Sequence, residues 1–183
     1  MNLESERLVI RKICERDWDD FYEYRSDPKI CEFQSYEPIK KDDAAKFIAE
    51  LKDAEFGNAG EWIQLAIELK SEKKMIGDIG LKPESYNSQV VEFGVSFSTK
   101  YQKQGLAKEA LTEIFNYLFT EKNIHRIIGI MDVKNVSMIG LIESLKFRRE
   151  AEFKQSFWDQ EKKYWCDEFL YAMLKKDWNT NLK

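Results

Sequence analysis

The chain has 183 residues, 43% of them hydrophobic and 14% aromatic, with 29 Lys and Arg against 33 Asp and Glu for a net charge of −4. That is enough apolar material for one core burying about 70% of the unfolded surface, which excludes a disordered chain; the basic pairs Lys73-Lys74 and Lys162-Lys163 are too scattered for a nucleic-acid binder. No apolar run nears the ~20 residues of a membrane span, the first residues hold no signal-peptide segment, and Cys14, Cys31 and Cys166 make no disulfide framework, so a cytoplasmic protein is expected.

Without an internal repeat, low-complexity tract or Pro/Gly-rich linker, residues 1–183 read as a single domain. Alternation of Leu8 and Ile10 against Arg7, Val9 and Arg11 predicts a first strand over residues 7–12. A helix follows from about Arg16, carrying Trp18, Phe21, Tyr22 and Arg25. Asp27-Pro28 then restarts the chain as an N-cap followed by proline at the first helical position. From about Lys41 a second helix places Ala44, Phe47, Ile48 and Leu51 at helical spacing. Residues 62–69 and 74–81 read as strands joined by the polar turn Lys70-Ser71-Glu72-Lys73, and Gly77 and Gly80 mark a bulge or a close backbone contact. In the fourth strand, residues 90–98, Val91, Phe93, Val95 and Phe97 face one way and Glu92, Gly94, Ser96 and Ser98 the other.

The next helix starts at about Leu106 and aligns Ala107, Ala110, Leu111, Ile114, Phe115, Leu118 and Phe119 on one stripe, ending near Lys122-Asn123. A short apolar strand, 126–132, leads to a helix opened by Asn135 with Met138, Leu141, Ile142 and Leu145 at i, i+3, i+4 and i+7. Residues 148–158 alternate Ala151, Phe153, Gln155 and Phe157 against charged neighbours, and Asp159-Gln160-Glu161-Lys162 turns them into a last strand, 164–174. The order is β-α-α-β-β-β-α-β-α-β-β, an α/β chain with a mixed central sheet. The helix between strands four and five is a crossover that makes those two strands parallel neighbours.

Between the fourth strand and its helix lies Gln102-Lys103-Gln104-Gly105-Leu106-Ala107. A strand that turns into a helix through small residues aims several backbone N–H groups, unpartnered within the helix, into one space, and the helix dipole adds positive potential there. Gly105 permits close backbone approach, Ala107 keeps the first turn narrow, and Lys100, Lys103 and Lys108 surround the turn. The loop reads as a cradle for a pyrophosphate, with an ordinary helix start as the alternative.

Gln102, Gly105 and Ala107 fall on the fixed positions of Q/R-x-x-G-x-G/A, so the stretch is similar to the coenzyme A motif of the GNAT acyltransferase superfamily. The resemblance extends along nearly the whole chain and is strongest to the ribosomal-protein N-acetyltransferase (RimJ/RimL-like) branch. Glu6-Arg7-Leu8-Val9-Ile10-Arg11, Asp27-Pro28, Ile76-Gly77-Asp78-Ile79-Gly80-Leu81 and Glu92-Phe93-Gly94-Val95 carry it. So do Gly105-Leu106-Ala107-Lys108-Glu109-Ala110-Leu111, His125-Arg126, Asp132-Val133-Lys134-Asn135 and the Trp165, Asp167, Tyr171 group. The chain departs from the branch at Ser137, one position earlier than its usual Asn-x-x-Ser, at Lys146-Phe147 in place of Gly-Phe, and at Gln102-Lys103 in place of Trp-Gly.

The resemblance implies the GNAT acyl-CoA N-acyltransferase fold and direct attack of a primary amine on acetyl-CoA, with no covalent enzyme intermediate and no metal. It implies that Gln102, Lys103, Gln104, Gly105, Leu106, Ala107 and Lys108 hold the pyrophosphate, that backbone groups of Val95 and Phe97 pair with the pantetheine arm, and that Asn135 bonds the cofactor, caps a helix, or does both. Strands splaying near Gly94 would open the slot. Glu92 is read as the base, with a solvated rim glutamate as the equal alternative. Ser137 is read as a thiolate acid or, on its shifted spacing, as a helix cap.

Asp78 orients substrate or forms an ion pair; His125, the only histidine, is a fold residue; Cys166 lacks a nucleophile signature; Trp18, Trp62 and Trp165 read as core or pocket wall. By analogy the acceptor is a protein N-terminal α-amine. The alternatives are a small-molecule amine (amino acid, polyamine or antibiotic) and a degenerate acyl-CoA-binding regulator, and a homodimer is the family's habit.

Overall fold

The computed structural model describes residues 1–51, 55–160 and 162–181. In chain order its elements are β1 (Asn2–Glu4), β2 (Leu8–Lys12), α1 (Trp18–Arg25), α2 (Pro28–Cys31), α3 (Lys41–Glu50), β3 (Ile63–Leu69), β4 (Lys74–Glu84) and β5 (Asn87–Phe97). Then come α4 (Leu106–Thr120), β6 (Arg126–Asp132), α5 (Val136–Ser144), β7 (Arg148–Asp159), β8 (Tyr164–Leu174) and α6 (Lys175–Asn181). The strands form one sheet in the order β1-β2-β3-β4-β5-β6-β8-β7. Every pairing is antiparallel except β5 with β6, the expected crossover pair.

The apolar phase of the strands decides which helices cover which face. Leu8, Ile10, Leu65, Ile67, Ile79, Leu81, Val91 and Phe93 point to the face covered by α4, whose Ala110, Leu111, Ile114, Phe115, Leu118 and Phe119 are fully buried. The opposite face carries a smaller core, in which Phe21 and Tyr24 of α1 and Ala44 and Ile48 of α3 meet Ala66 and Met75. Asp27 caps α2 as expected, its carboxylate accepting from Lys29 N–H at 3.0 Å with Pro28 next in line. Among the described residues no helix is long and apolar enough to cross a membrane.

Several boundaries differ from the expectation for physical reasons. The three residues of β1 are too few to show a period, yet they pair with β2. The β4–β5 hairpin runs further, to Glu84 and from Asn87, because Pro83 is accommodated opposite Val91 beside a register shift. In α4 the buried stripe starts at Leu106, and Ala107 is only partly covered. The expected alternation in β7 fails: register shifts fall between Arg149 and Ala151 and between Phe153 and Phe157, and Gln155 takes φ +50°. Helix α6 extends the chain past the expected end, and Trp178 packs edge-on against Phe115 at 5.9 Å. Glu161 of the expected turn lies outside the described residues.

Candidate functional site

The ladder between β5 and β6 consists of Val90 with Arg126, Val91 with Ile127, and Glu92 with Ile128, and there it stops. Both strands continue, β5 to Phe97 against β4 and β6 to Asp132 against β8. A V-shaped gap therefore opens one residue past Glu92, in front of Gly94. At Gly94 the position a Cβ would take has nothing within 4 Å. Inside the gap the Val95 carbonyl accepts from Gln34 Nε2 at 3.3 Å and the Phe97 carbonyl from Gln102 Nε2 at 3.0 Å. In an extended strand the N–H and C=O of one residue point the same way, so Val95 also presents its N–H to the gap.

The cradle lies at the open end of this V. After Phe97 a single 3-10 turn, Thr99–Tyr101, leads to Gln102, then Lys103 at φ +60° and Gly105 at φ +77° in the left-handed region. This bends the chain into α4 and leaves the N–H groups of Lys103, Gln104, Gly105, Leu106, Ala107 and Lys108 without an acceptor among the described residues. The first helical bond is Glu109 N–H to the Gly105 carbonyl, 3.1 Å. Six consecutive donors and the positive end of a 15-residue helix are a chemistry that suits an anion.

The loop is braced from both sides. The side chain of Gln104 donates to the Lys100 carbonyl (3.0 Å), and Arg7 donates to the Gln104 carbonyl (3.0 Å) and to Glu109 (2.7 Å). Ser5 and the Arg7 N–H also donate to Glu109, each at 2.7 Å, tying the β1–β2 turn to the cradle helix. Burial works against charge on Glu109, but these bonds hold its carboxyl below the ordinary glutamate range.

Two expectations for the cradle change. Lys100 is ion-paired to Glu23 of α1, which leaves Lys103 and Lys108 as the cations beside the loop. The Leu106 side chain is buried in the core, so only its backbone N–H faces the cradle.

Across the sheet face opposite α4, register sets three rows. Lys82 stands beside Glu92; Gln64, Gly80 and Gly94 stand abreast; Ala66, Asp78 and Ser96 stand abreast. Glu92 is not a free rim carboxylate: it bonds Lys82 Nζ at 2.5 Å, and Glu84 shares that ammonium at 3.2 Å. Burial pushes the Glu92 carboxyl up, with the Lys82 bond opposing. Burial also works against charge on Lys82, but its bonds to the two carboxylates carry it above the ordinary lysine range. Trp62 lies beside this row with Lys82 over its ring.

Asp78 is an ion-pair residue. It is buried and accepts from Arg25 Nη2 at 2.6 Å and from the Tyr24 hydroxyl at 2.7 Å, which leaves it no role at substrate. Arg25 lies 3.8 Å under the Tyr36 ring, whose hydroxyl bonds Ser96 Oγ at 2.6 Å. Gly77 is a close contact: a Cβ there would stand 2.3 Å from the Ser96 carbonyl.

Asn135 caps α5, its Oδ1 accepting from Met138 N–H at 3.1 Å, and its Nδ2 has no acceptor among the described residues. Ser137 is therefore not the cap; it is exposed in the first turn of α5. Trp165 is 53% exposed beside Trp158, so it is not core. His125 pairs through its backbone with Gln89 and Lys175, a fold role. Among the described residues no cluster of His, Cys, Asp and Glu would hold a metal ion.

The sequence reading missed Gln34, Gln64, Tyr36 and Lys82. The first and third lie in a loop without period. Gln64 gave no signal within its strand, and pairing Lys82 with Glu92 needed the true hairpin length.

Residues 7–148 match the family described as "Acetyltransferase (GNAT) domain". The uncharacterized N-acetyltransferase YnaD of Bacillus subtilis is 31% identical over 98% of this chain and 100% of its own length. The [ribosomal protein uS5]-alanine N-acetyltransferase of Escherichia coli is 26% identical over 97% of this chain and 93% of its own. The crystal structure of a GNAT-family acetyltransferase from Bacillus anthracis superposes with a TM-score of 0.83 at 28% identity, covering 96% and 99% of the two chains. With the split sheet and the cradle in place, these similarities settle the family: the chain belongs to the GNAT acetyltransferases and is an N-acetyltransferase.

Proposed function

We propose that this chain transfers the acetyl group of acetyl-CoA directly to a primary amine, and that the acceptor is the α-amine of a protein N-terminus. The observation that carries the reading is the continuity of the V with the cradle: six unpaired N–H groups begin six residues beyond the last residue of β5. That arrangement fits a diphosphate joined to an extended arm. Acetyl-CoA, when bound, supplies an acyl group activated as a thioester.

The chain's own residues do the rest. The N–H groups of residues 103–108, with Lys103 and Lys108, hold the diphosphate. Gly105 keeps that approach open. Val95 and Phe97 offer backbone groups to the arm once the amides of Gln34 and Gln102 swing away from their carbonyls. The Val95 N–H faces the gap, where it would meet the carbonyl oxygen as negative charge develops. Asn135 keeps its cap through Oδ1 and offers Nδ2 to the same arm.

Glu92, at the fork of the V, receives the proton from the incoming ammonium directly or through water. As the C–N bond forms and the C–S bond breaks, the nitrogen sheds its second proton to solvent, and the thiolate takes one from solvent or from the Ser137 hydroxyl, which solvent reprotonates.

The state of Glu92 bears on the acceptor. Burial makes it a better base than an ordinary glutamate while the Lys82 bond opposes that gain, and a carboxylate so placed is still a weak base beside an amine. An α-amine ionises at about 7.7–8.0 and a lysine at about 10.4, so deprotonating lysine near neutral pH costs about 3.5 kcal/mol more. A weak base therefore suits an α-amine. The relative from E. coli, named for an alanine of a ribosomal protein, supports the same acceptor class.

The test is thiol release from acetyl-CoA against N-terminal peptides, lysine peptides and small amines. N-terminal peptides are expected to turn over fastest. Glu92→Gln is expected to cut kcat at least tenfold with CoA affinity intact. Lysine peptides turning over faster would contradict the acceptor assignment, and a Glu92→Gln enzyme of full activity would contradict the base.

A further inference from the structure

A cavity of about 230 Å³ lies between α1, α3 and residues 36–39, and Gln64 at its floor stands in the same row of the sheet as Gly94. Phe21, Tyr36, Ile39 and Phe47 give it apolar walls, and its polar groups are Arg25, Glu37 and Gln64. A cavity of ~150 Å³ already holds a benzene ring, so this one has room for a leucine-sized or phenyl group.

Gln64 is its unusual member. The amide lies flat over Gly80, where a Cβ would stand 3.0 Å from Nε2 and 3.1 Å from Oε1. Oε1 is sealed from solvent with no partner, and Nε2, for which no acceptor stands among the described residues, is the donor left to face a ligand. A polar group in such a position is normally bonded. Gln64 shares its row with Gly94, two strands away or about 10 Å at the usual strand spacing.

The charges lining the cavity say what it will refuse. Arg25 spends two of its nitrogens on Asp78, and its cation remains in the wall. Asp78 is consumed by that pair, and Glu37 stands exposed at the rim. Since the Arg25–Asp78 pair is neutral as a unit, a second ammonium in this cavity would lose its hydration to apolar walls with only the rim carboxylate of Glu37 to offset the loss.

We infer that this cavity receives the apolar side group next to the acceptor's amine, and that Gln64 Nε2 donates to the carbonyl beside that amine. The inference rests on the transferase reading above and deepens it. The acceptor class is an amine flanked by an apolar group and an amide carbonyl, as at an apolar N-terminal residue, and polyamines are excluded from it.

The full chain saturated with coenzyme A is titrated calorimetrically with leucinamide, glycinamide, isopentylamine and spermidine, and thiol release from acetyl-CoA is followed in parallel. Leucinamide is expected to bind about tenfold or more tightly than glycinamide, from burial of its side chain, and than spermidine. Gln64→Leu is expected to cut the preference for leucinamide over isopentylamine about tenfold, because only leucinamide carries the carbonyl. Ile39→Trp, which fills the cavity from another side, is expected to weaken leucinamide more than glycinamide.

Glycinamide or spermidine binding as tightly as leucinamide would overturn the inference. So would an unchanged preference in a folded Gln64→Leu protein. Leucinamide bound by this pattern but never acetylated would leave the pocket standing and remove the transferase reading. Amines acetylated without the leucinamide preference would do the reverse.

Discussion

The ring of Phe93 occupies the space that a side chain on Gly129 would need: a Cβ there would stand 2.7 Å from Cε1 and 2.9 Å from Cζ. Phe93 is the first β5 residue beyond the ladder, and continuing the register would make Gly129 its partner. The ring is held edge-on by Phe115 at 5.0 Å and by Phe147 at 5.9 Å. An aromatic side chain packed onto a bare backbone thus marks the place where the sheet divides.

Gly129→Val is expected to push this ring off its neighbours. Forcing extra carbon into a packed core costs about 1–3 kcal/mol, read as a lower denaturant midpoint at unchanged m-value. Because the ring sits at the fork, CoA affinity should weaken in the folded fraction as well. A midpoint equal to that of the parent protein would show that the packing yields freely.

At Gly105 the substitution to Glu is expected to weaken coenzyme A far more than it destabilises the fold. The position needs φ +77°, which costs an L-residue about 1–2 kcal/mol. Its Cβ would find only Arg7 Nη2, at 3.5 Å, so the space itself is open. The added carboxylate would stand between Arg7 and the cradle, placing negative charge where the diphosphate is to bind. Calorimetry should show at least a tenfold loss; unchanged affinity in a folded variant would remove the anion site.

Asp78→Ala is expected to destabilise by about 3–5 kcal/mol, since it strands the buried Arg25 and removes the acceptor of the Tyr24 hydroxyl. Asp78→Ala with Arg25→Met should recover part of this loss. A single variant with parental stability would mean that the pair is solvated in solution.

Acid should unfold the protein through carboxylates held below their ordinary range. Burial works against charge on Asp17, but Arg11 donates to it twice at 2.7 Å and Cys14 N–H at 2.8 Å, and its pKa falls; Glu109 is lowered by Ser5 and Arg7. The unfolded chain, with pKa near 3.9 for Asp and 4.3 for Glu, binds more protons in acid. The stability these groups contribute is therefore present above about pH 5 and lost as pH falls through the folded values. The denaturant midpoint should drop between pH 6 and pH 3, and less steeply in Asp17→Asn. A flat profile over that range would contradict the assignment.

Much of the fold was legible because the signals are local. The β5 alternation, the α4 stripe and the Asp27-Pro28 start each follow from period or cap chemistry, and the crossover made β5 and β6 parallel. The Gly105 turn was equally readable, since a left-handed residue before a helix calls for glycine. What escaped the sequence depends on register across strands. Glu92 looked like a free carboxylate until Lys82 was placed opposite it, and Gln64 gained meaning only with Gly80 and Gly94 in its row. The alternation read into β7 failed because two register shifts break the pleat. Ser137 looked like a cap from its residue type, but Asn135, two residues earlier, had already taken that position.

A crystal structure of the complex with coenzyme A tests the slot and the cradle together. The diphosphate is expected within hydrogen-bond distance of the N–H groups of residues 103–108, the pantetheine arm between β5 and β6, and the Gln34 amide moved off the Val95 carbonyl. Coenzyme A held elsewhere, or a β5–β6 ladder continued past Glu92 and Ile128 beside a bare cradle, would contradict the assignment.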